Sequence, residues 1–178
     1  MKLLRTIRLD PSDTFVFERA AEPGEWAVSG AFMFAEADLG ALEGKPRAAF
    51  RGGLLGVQSL GWSTLAQVVE ASETDRTGVV EMLASQLVQH LGAPDLDTAR
   101  AAAEEEVAFA ASLCDHPRDT LIAVHRTFED GAIREAFRSL FARGERKPMR
   151  AFAFFDVEGE EEPAEHVDLM KLGQEARK

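Results

Sequence analysis

Tyrosine is absent, although phenylalanine occurs 12 times. Aromatic burial is therefore mostly apolar, and no phenolic hydroxyl is on hand for a binding site. Cysteine occurs once, as Cys114, which excludes an internal disulfide. Basic residues number 20 against 31 acidic ones, a formal net charge of −11. That balance argues against nucleic acid or an anionic membrane as the main partner, because phosphate binding needs clustered Lys and Arg. It leaves room for a local basic pocket. No run approaches the roughly 18 apolar residues that span a bilayer. Nor does an apolar stretch follow Met1-Lys2-Leu3-Leu4-Arg5, so no secretory leader is expected. Cytoplasmic residence is the simplest expectation.

Hydrophobic residues make up 46% of the 178 and charged residues 29%, ordinary values for a globular protein. The length suits one domain. Residues 3–9 alternate weakly and predict a strand; Pro11-Ser12-Asp13 predicts a turn, and residues 14–17 a second short strand. In residues 26–34, Trp26, Val28, Gly30, Phe32 and Phe34 share one face of a third strand. A short helix is expected near 46–51, followed by a glycine-rich connection and a strand over 62–70. Ser72, with Asp75 three residues on, is a capping-box start for a helix carrying Val79, Val80, Leu83, Leu87 and Leu91. Gly92-Ala93-Pro94 stops it. Asp97 is the expected cap of a second long helix over about 98–114. Residues 120–128 and 132–141 flank Asp130-Gly131, the strongest short hairpin signal in the chain. A final strand is expected at 148–157.

Grouped helices between runs of strands mean α+β. The expected architecture is a mostly antiparallel sheet of about seven strands with two long adjacent helices on one face. Residues 1–157 form the single domain in this reading. Residues 158–178, opening Glu-Gly-Glu-Glu-Glu-Pro-Ala-Glu, read as an acidic, flexible tail.

Four features could carry chemistry. Glu106 falls amid Ala99, Ala102, Ala103, Val107, Ala110, Leu113 and Cys114 on one helix face. A carboxylate there needs a partner or becomes protonated; a structural ion pair is the plainer reading, an acid or base in a site the sharper one. On the hairpin, a two-residue loop sets Thr127 opposite Arg134, His125 opposite Ala136 and Ala123 opposite Arg138. His125, Arg134 and Arg138 then share a face suited to a carboxylate or phosphate, or simply to solvent. Arg126 and Glu135 pair across the strands on the apolar side. Third, Lys45-Pro46-Arg47, Arg51, Gly52, Gly53 and Gly56 are a loose anion-binding composition, with no phosphate-loop pattern. Fourth, Cys114, His90, His116, His125 and His166 make no metal-ligand spacing, and no metal or other cofactor is expected. No nucleophile elbow is present.

The opening stretch to Phe34, the segment Gly61-Trp62-Ser63-Thr64 and the segment Ala111-Ser112-Leu113-Cys114-Asp115-His116-Pro117 resemble small alphaproteobacterial proteins grouped as a domain of unknown function. The resemblance covers residues 1 to about 157 and carries no catalytic residue over. It implies an accessory role, enzyme maturation among the options. The leading expectation is thus a non-catalytic binding or accessory protein that engages a protein partner or a second copy of itself. The alternative is a small enzyme or sensor that binds an anionic small molecule at Glu106, His125, Arg134 and Arg138.

Overall fold

The computed structural model describes residues 1–142 and 155–157. The expected strand residues 148–154 and the tail 158–178 lie outside the described residues. The architecture is α+β. Eight strands form one sheet: β1 (Lys2–Ile7), β2 (Trp26–Val28), β3 (Leu54–Gly56), β4 (Trp62–Ser63), β5 (Leu65–Glu70), β6 (Leu121–Glu129), β7 (Ala132–Ala142) and β8 (Phe155–Val157). Their order is β4-β3-β2-β1-β5-β6-β7-β8, and every pairing is antiparallel. The helices are α1 (Asp13–Val16), α2 (Gly44–Gly52), α3 (Glu73–His90) and α4 (Leu96–Ser112).

The long helices α3 and α4 follow one another and pack together, with Val79, Val80, Leu83 and Ala84 meeting Ala99, Ala103, Val107 and Ala110 in the core. Alanine at every third or fourth position lets α4 lie close to its neighbours. The capping box of α3 is complete: Ser72 Oγ accepts from Asp75 N–H, and Asp75 accepts from Ser72 N–H in return. The cap of α4 is Asp95, not Asp97. Asp95 has extended backbone angles and accepts from Thr98 N–H at 2.8 Å, so the helix starts two residues earlier than expected. Asp97 instead pairs with Arg100 at 3.2 Å on the exposed side.

Other departures have tertiary causes. Of residues 14–17, the first three belong to the single helical turn α1 rather than a strand, and Phe17 is its extended C-cap. Asp13 at its start accepts from Thr64 N–H, Thr64 Oγ1 and Ser63 Oγ, and these bonds override the strand preference of Thr-Phe-Val-Phe. The same bonds split the strand expected over 62–70, because Thr64 turns toward Asp13. The strand from Trp26 ends at Val28. Gly30 takes φ +79°, and a Cβ there would stand 2.5 Å from Leu55 Cβ, so the chain turns into a 3₁₀ turn over Ala31–Phe34. The glycine-rich connection contains β3, whose Leu54 and Leu55 are fully buried. Gly53 permits this: a Cβ there would meet Ala49 O and Trp62 Cε3 at 2.8 Å.

The hairpin β6–β7 has the expected register, Thr127 facing Arg134, Arg126 facing Glu135, His125 facing Ala136 and Ala123 facing Arg138. Asp130 and Gly131 both have positive φ, +52° and +75°, as a type I′ turn requires.

Candidate functional site

Strand pleating sends Arg126 and Glu135 to one side of the hairpin and His125, Arg134 and Arg138 to the other. Arg126 is fully buried. Its Nε donates to Glu135 Oε2 at 2.8 Å, and Nη1 donates to Phe50 O at 3.1 Å and Gly53 O at 2.7 Å. Nη2 donates to Ser29 O and, at 3.2 Å, to Ser29 Oγ. Ser29 Oγ in turn donates to Glu135 Oε2. The carbonyls of Phe50 and Gly53 lie at the C-terminal end of α2, where a helix leaves acceptors without internal donors and favours a cation. One guanidinium therefore fixes α2, the turn after β2, and the hairpin to one another.

Glu106 of α4 reaches the same buried cluster. It is half-buried, and its Oε2 has no hydrogen-bond partner. Burial pushes its carboxyl up to about 7; the neighbouring Glu135 carboxylate adds to the rise and Arg126 opposes it. Desolvation pulls Arg126 below its ordinary value, against the pull of Glu135 and Glu106. Two carboxyls thus share one buried guanidinium, and near neutral pH one proton is divided between solvent and Glu106.

The expected four-residue set is not brought together. Glu106 lies on the Arg126 side, away from His125, Arg134 and Arg138. Those three are exposed on the outer face of the hairpin. Arg134 pairs loosely with Glu129 at 3.4 Å and Asp130 at 3.7 Å, and Arg138 has interactions of its own. Ala102, expected on the buried face of α4, is exposed.

Two cavities flank α2. One, of about 400 Å³, is lined by Leu39, Gly40, Leu42, Arg47, Phe50, Arg51 and the β6 residues Arg126, Thr127 and Phe128. The other, of about 420 Å³, lies against Trp62 and Phe34. Both fall within the size range of small-molecule sites. Neither is lined by His125, Arg134 or Arg138. The helix between them carries Lys45, Arg47 and Arg51 and no acidic residue, in a chain of net charge −11. The basic cluster seen in the sequence therefore does border cavities, although its glycines serve close packing and not a phosphate cradle.

Sequence reasoning missed the buried acids Asp13 and Glu25. Glu25 accepts from the backbone N–H groups of Glu22, Gln58 and Ser59 and so ties down the turn after β3. A carboxylate preceding a strand, with two of its three donors more than 30 residues away, leaves little local signal. Cys114 is buried, and desolvation pushes its thiol up to about 11, so it behaves as a small apolar side chain. Among the described residues, no group of three or more His, Cys, Asp or Glu could hold a metal ion. None of the helices is long and apolar enough to cross a membrane, again among the described residues.

No curated protein and no solved structure shows significant similarity to this chain. A family model does match, over residues 1–158, and the chain therefore belongs to the family of unknown function DUF6505.

Proposed function

We propose that this is a non-catalytic binding protein of the bacterial cytoplasm, acting as an accessory to a partner, and that its ligand is a small anion with an apolar body held beside α2. The observation that carries this reading is the cavity between α2 and β6. Arg47 and Arg51 are exposed there, one helical turn apart, and the apolar walls are Leu39, Leu42, Phe50 and Phe128. Phe128 is 49% exposed, a large uncovered ring beside two guanidiniums. Side chains four apart on a helix are neighbours, so Arg47 and Arg51 can bracket one carboxylate or phosphate. Arg126 below them is fully engaged with backbone and Glu135. It fixes the helix and is not free to grip a ligand.

This reading moves the anion site from the outer face of the hairpin to α2. On the outer face, Arg134 and His125 are spread over an exposed sheet surface, the ordinary fate of charges there. The α2 cavity adds apolar walls beside the cations, which the outer face lacks.

The test is isothermal titration with phenyl phosphate and with inorganic phosphate, on the full chain and on the double variant Arg47→Glu/Arg51→Glu. Saturable binding of phenyl phosphate is expected, tighter than that of inorganic phosphate and weakened at least tenfold in the variant. Absence of binding, or binding unchanged in the variant, would overturn the assignment.

A further inference from the structure

We propose that the cavity on the opposite flank of α2 is a second binding site, for a flat aromatic molecule carrying one anionic group. Its apolar wall is Met33, Phe34, Pro46, Ala49, Leu60 and Trp62, and its polar edge is Lys45, Arg19 and Glu18. The volume, about 420 Å³, accommodates one or two fused or linked rings.

The wall is rigid, for reasons that can be traced residue by residue. Trp62 is 9% exposed and stacks on Phe34, with ring centroids 5.2 Å apart and 25° between the planes. Phe34 in turn meets Phe50 edge to face at 5.3 Å. The indole is pressed against two glycines: a Cβ on Gly53 would stand 2.8 Å from Trp62 Cε3, and one on Gly30 would stand 3.0 Å from Cζ3. Backbone and rings together hold the indole in one orientation, so a ligand ring meets a preformed surface and pays little ordering entropy.

The edge supplies the sign of the ligand. Arg19 is held in place by donating to Ser59 O at 3.1 Å, and Lys45 is exposed at the first turn of α2. Two cations against Glu18 leave the mouth net positive. Aromatic walls with a cationic rim select a planar anion over a neutral ring or an aliphatic cation. Lys45 belongs to this cavity and Arg47 and Arg51 to the other, because successive residues of a helix project to different sides. The two sites are thus separable by mutation.

The experiment uses 8-anilinonaphthalene-1-sulfonate as the probe, with the full chain carrying Trp26→Phe so that Trp62 is the only tryptophan. Saturable one-to-one binding is expected, with energy transfer from Trp62 to the probe and an unchanged near-ultraviolet circular dichroism spectrum. Lys45→Glu should weaken it at least fivefold, and Arg47→Glu/Arg51→Glu by less than twofold. Loss of binding in the Arg47/Arg51 variant but not in Lys45→Glu would place the probe in the other cavity and overturn the proposal. So would absence of saturable binding, or binding accompanied by loss of the near-ultraviolet signal, which marks a loosened core.

Discussion

Replacing Glu106 by Gln keeps the volume and removes the ionisable proton. In an unfolded chain the carboxyl titrates at about 4.5, and in the folded protein at about 7. Between those values the folded state holds a proton that the unfolded state has released. Stability therefore falls as pH rises through this window and is flat above it. A full displacement of this size corresponds to about 3 kcal/mol; water reaching the half-buried side chain reduces it to about 1–2 kcal/mol. Gln does not titrate, so the variant escapes the penalty. Urea unfolding followed by circular dichroism at pH 5, 6, 7 and 8 should show the two proteins similar at pH 5. Glu106→Gln should become the more stable by about 1–2 kcal/mol at pH 8. Comparing the pair at each pH cancels the titrating groups that do not couple to Glu106. A difference that stays constant from pH 5 to 8 would refute the burial argument. A variant less stable at pH 8 would show that attraction to Arg126 outweighs both burial and repulsion by Glu135.

Arg126→Met should cost about 3–5 kcal/mol in denaturant titration, because it strands the Glu135 charge and the carbonyls of Ser29, Phe50 and Gly53; a loss below 1 kcal/mol would mean that water replaces the guanidinium. Gly131→Val should destabilise by about 1–3 kcal/mol through strain at φ +75° alone, since nothing lies within 4 Å of the added Cβ; a neutral result in urea would contradict the type I′ turn. Gly61→Ala should lower the thermal midpoint and cost about 1–3 kcal/mol, because its Cβ would stand 2.7 Å from the Ala20 backbone. Ser72→Ala removes the α3 cap and should cost about 1 kcal/mol, with an unchanged unfolding midpoint counting against the capping box.

Features whose causes are local were legible in the sequence. The Ser72–Asp75 box, the apolar stripe of α3 and the Asp130-Gly131 turn each depend on residues within a few positions of one another. The turn in turn sets the whole β6–β7 register, because a two-residue loop leaves only one pairing. Where a distant group intervened, reading by pattern failed. Residues 14–17 have strand-forming side chains, but Asp13 meets Thr64, 51 residues away, and the segment coils to allow it. Glycines at 52, 53 and 56 read as a loop, yet at Gly53 the missing side chain makes room for Trp62 within the sheet.

The site divides along the same line. Alternation in the hairpin correctly predicted that Arg126 and Glu135 face the apolar side, and helical spacing correctly turned Glu106 inward. Each inference used one element at a time. What brings the three together is the packing of α2 on β6 and of α4 on β1 and β2, which no spacing within a strand or helix encodes. The same packing changes the meaning of the exposed cations. On the hairpin's outer face, His125, Arg134 and Arg138 satisfy the chemistry of an anion site but have no walls. On α2, Arg47 and Arg51 have the same chemistry, and the helix, held by Arg126, lines a cavity with Phe128, Leu39 and Leu42. A buried arginine that divides its donors among a helix end, Ser29 and Glu135 is costly to desolvate. Its return is a fixed position for a helix bearing three cations in an acidic protein. A chain needing α2 only as core filler could seat Ala49 and Phe50 without it, and Arg126→Met should then leave phenyl phosphate affinity intact wherever the variant still folds. If Arg126 positions the site, affinity should fall at least fivefold in the folded variant, although Arg47 and Arg51 are untouched.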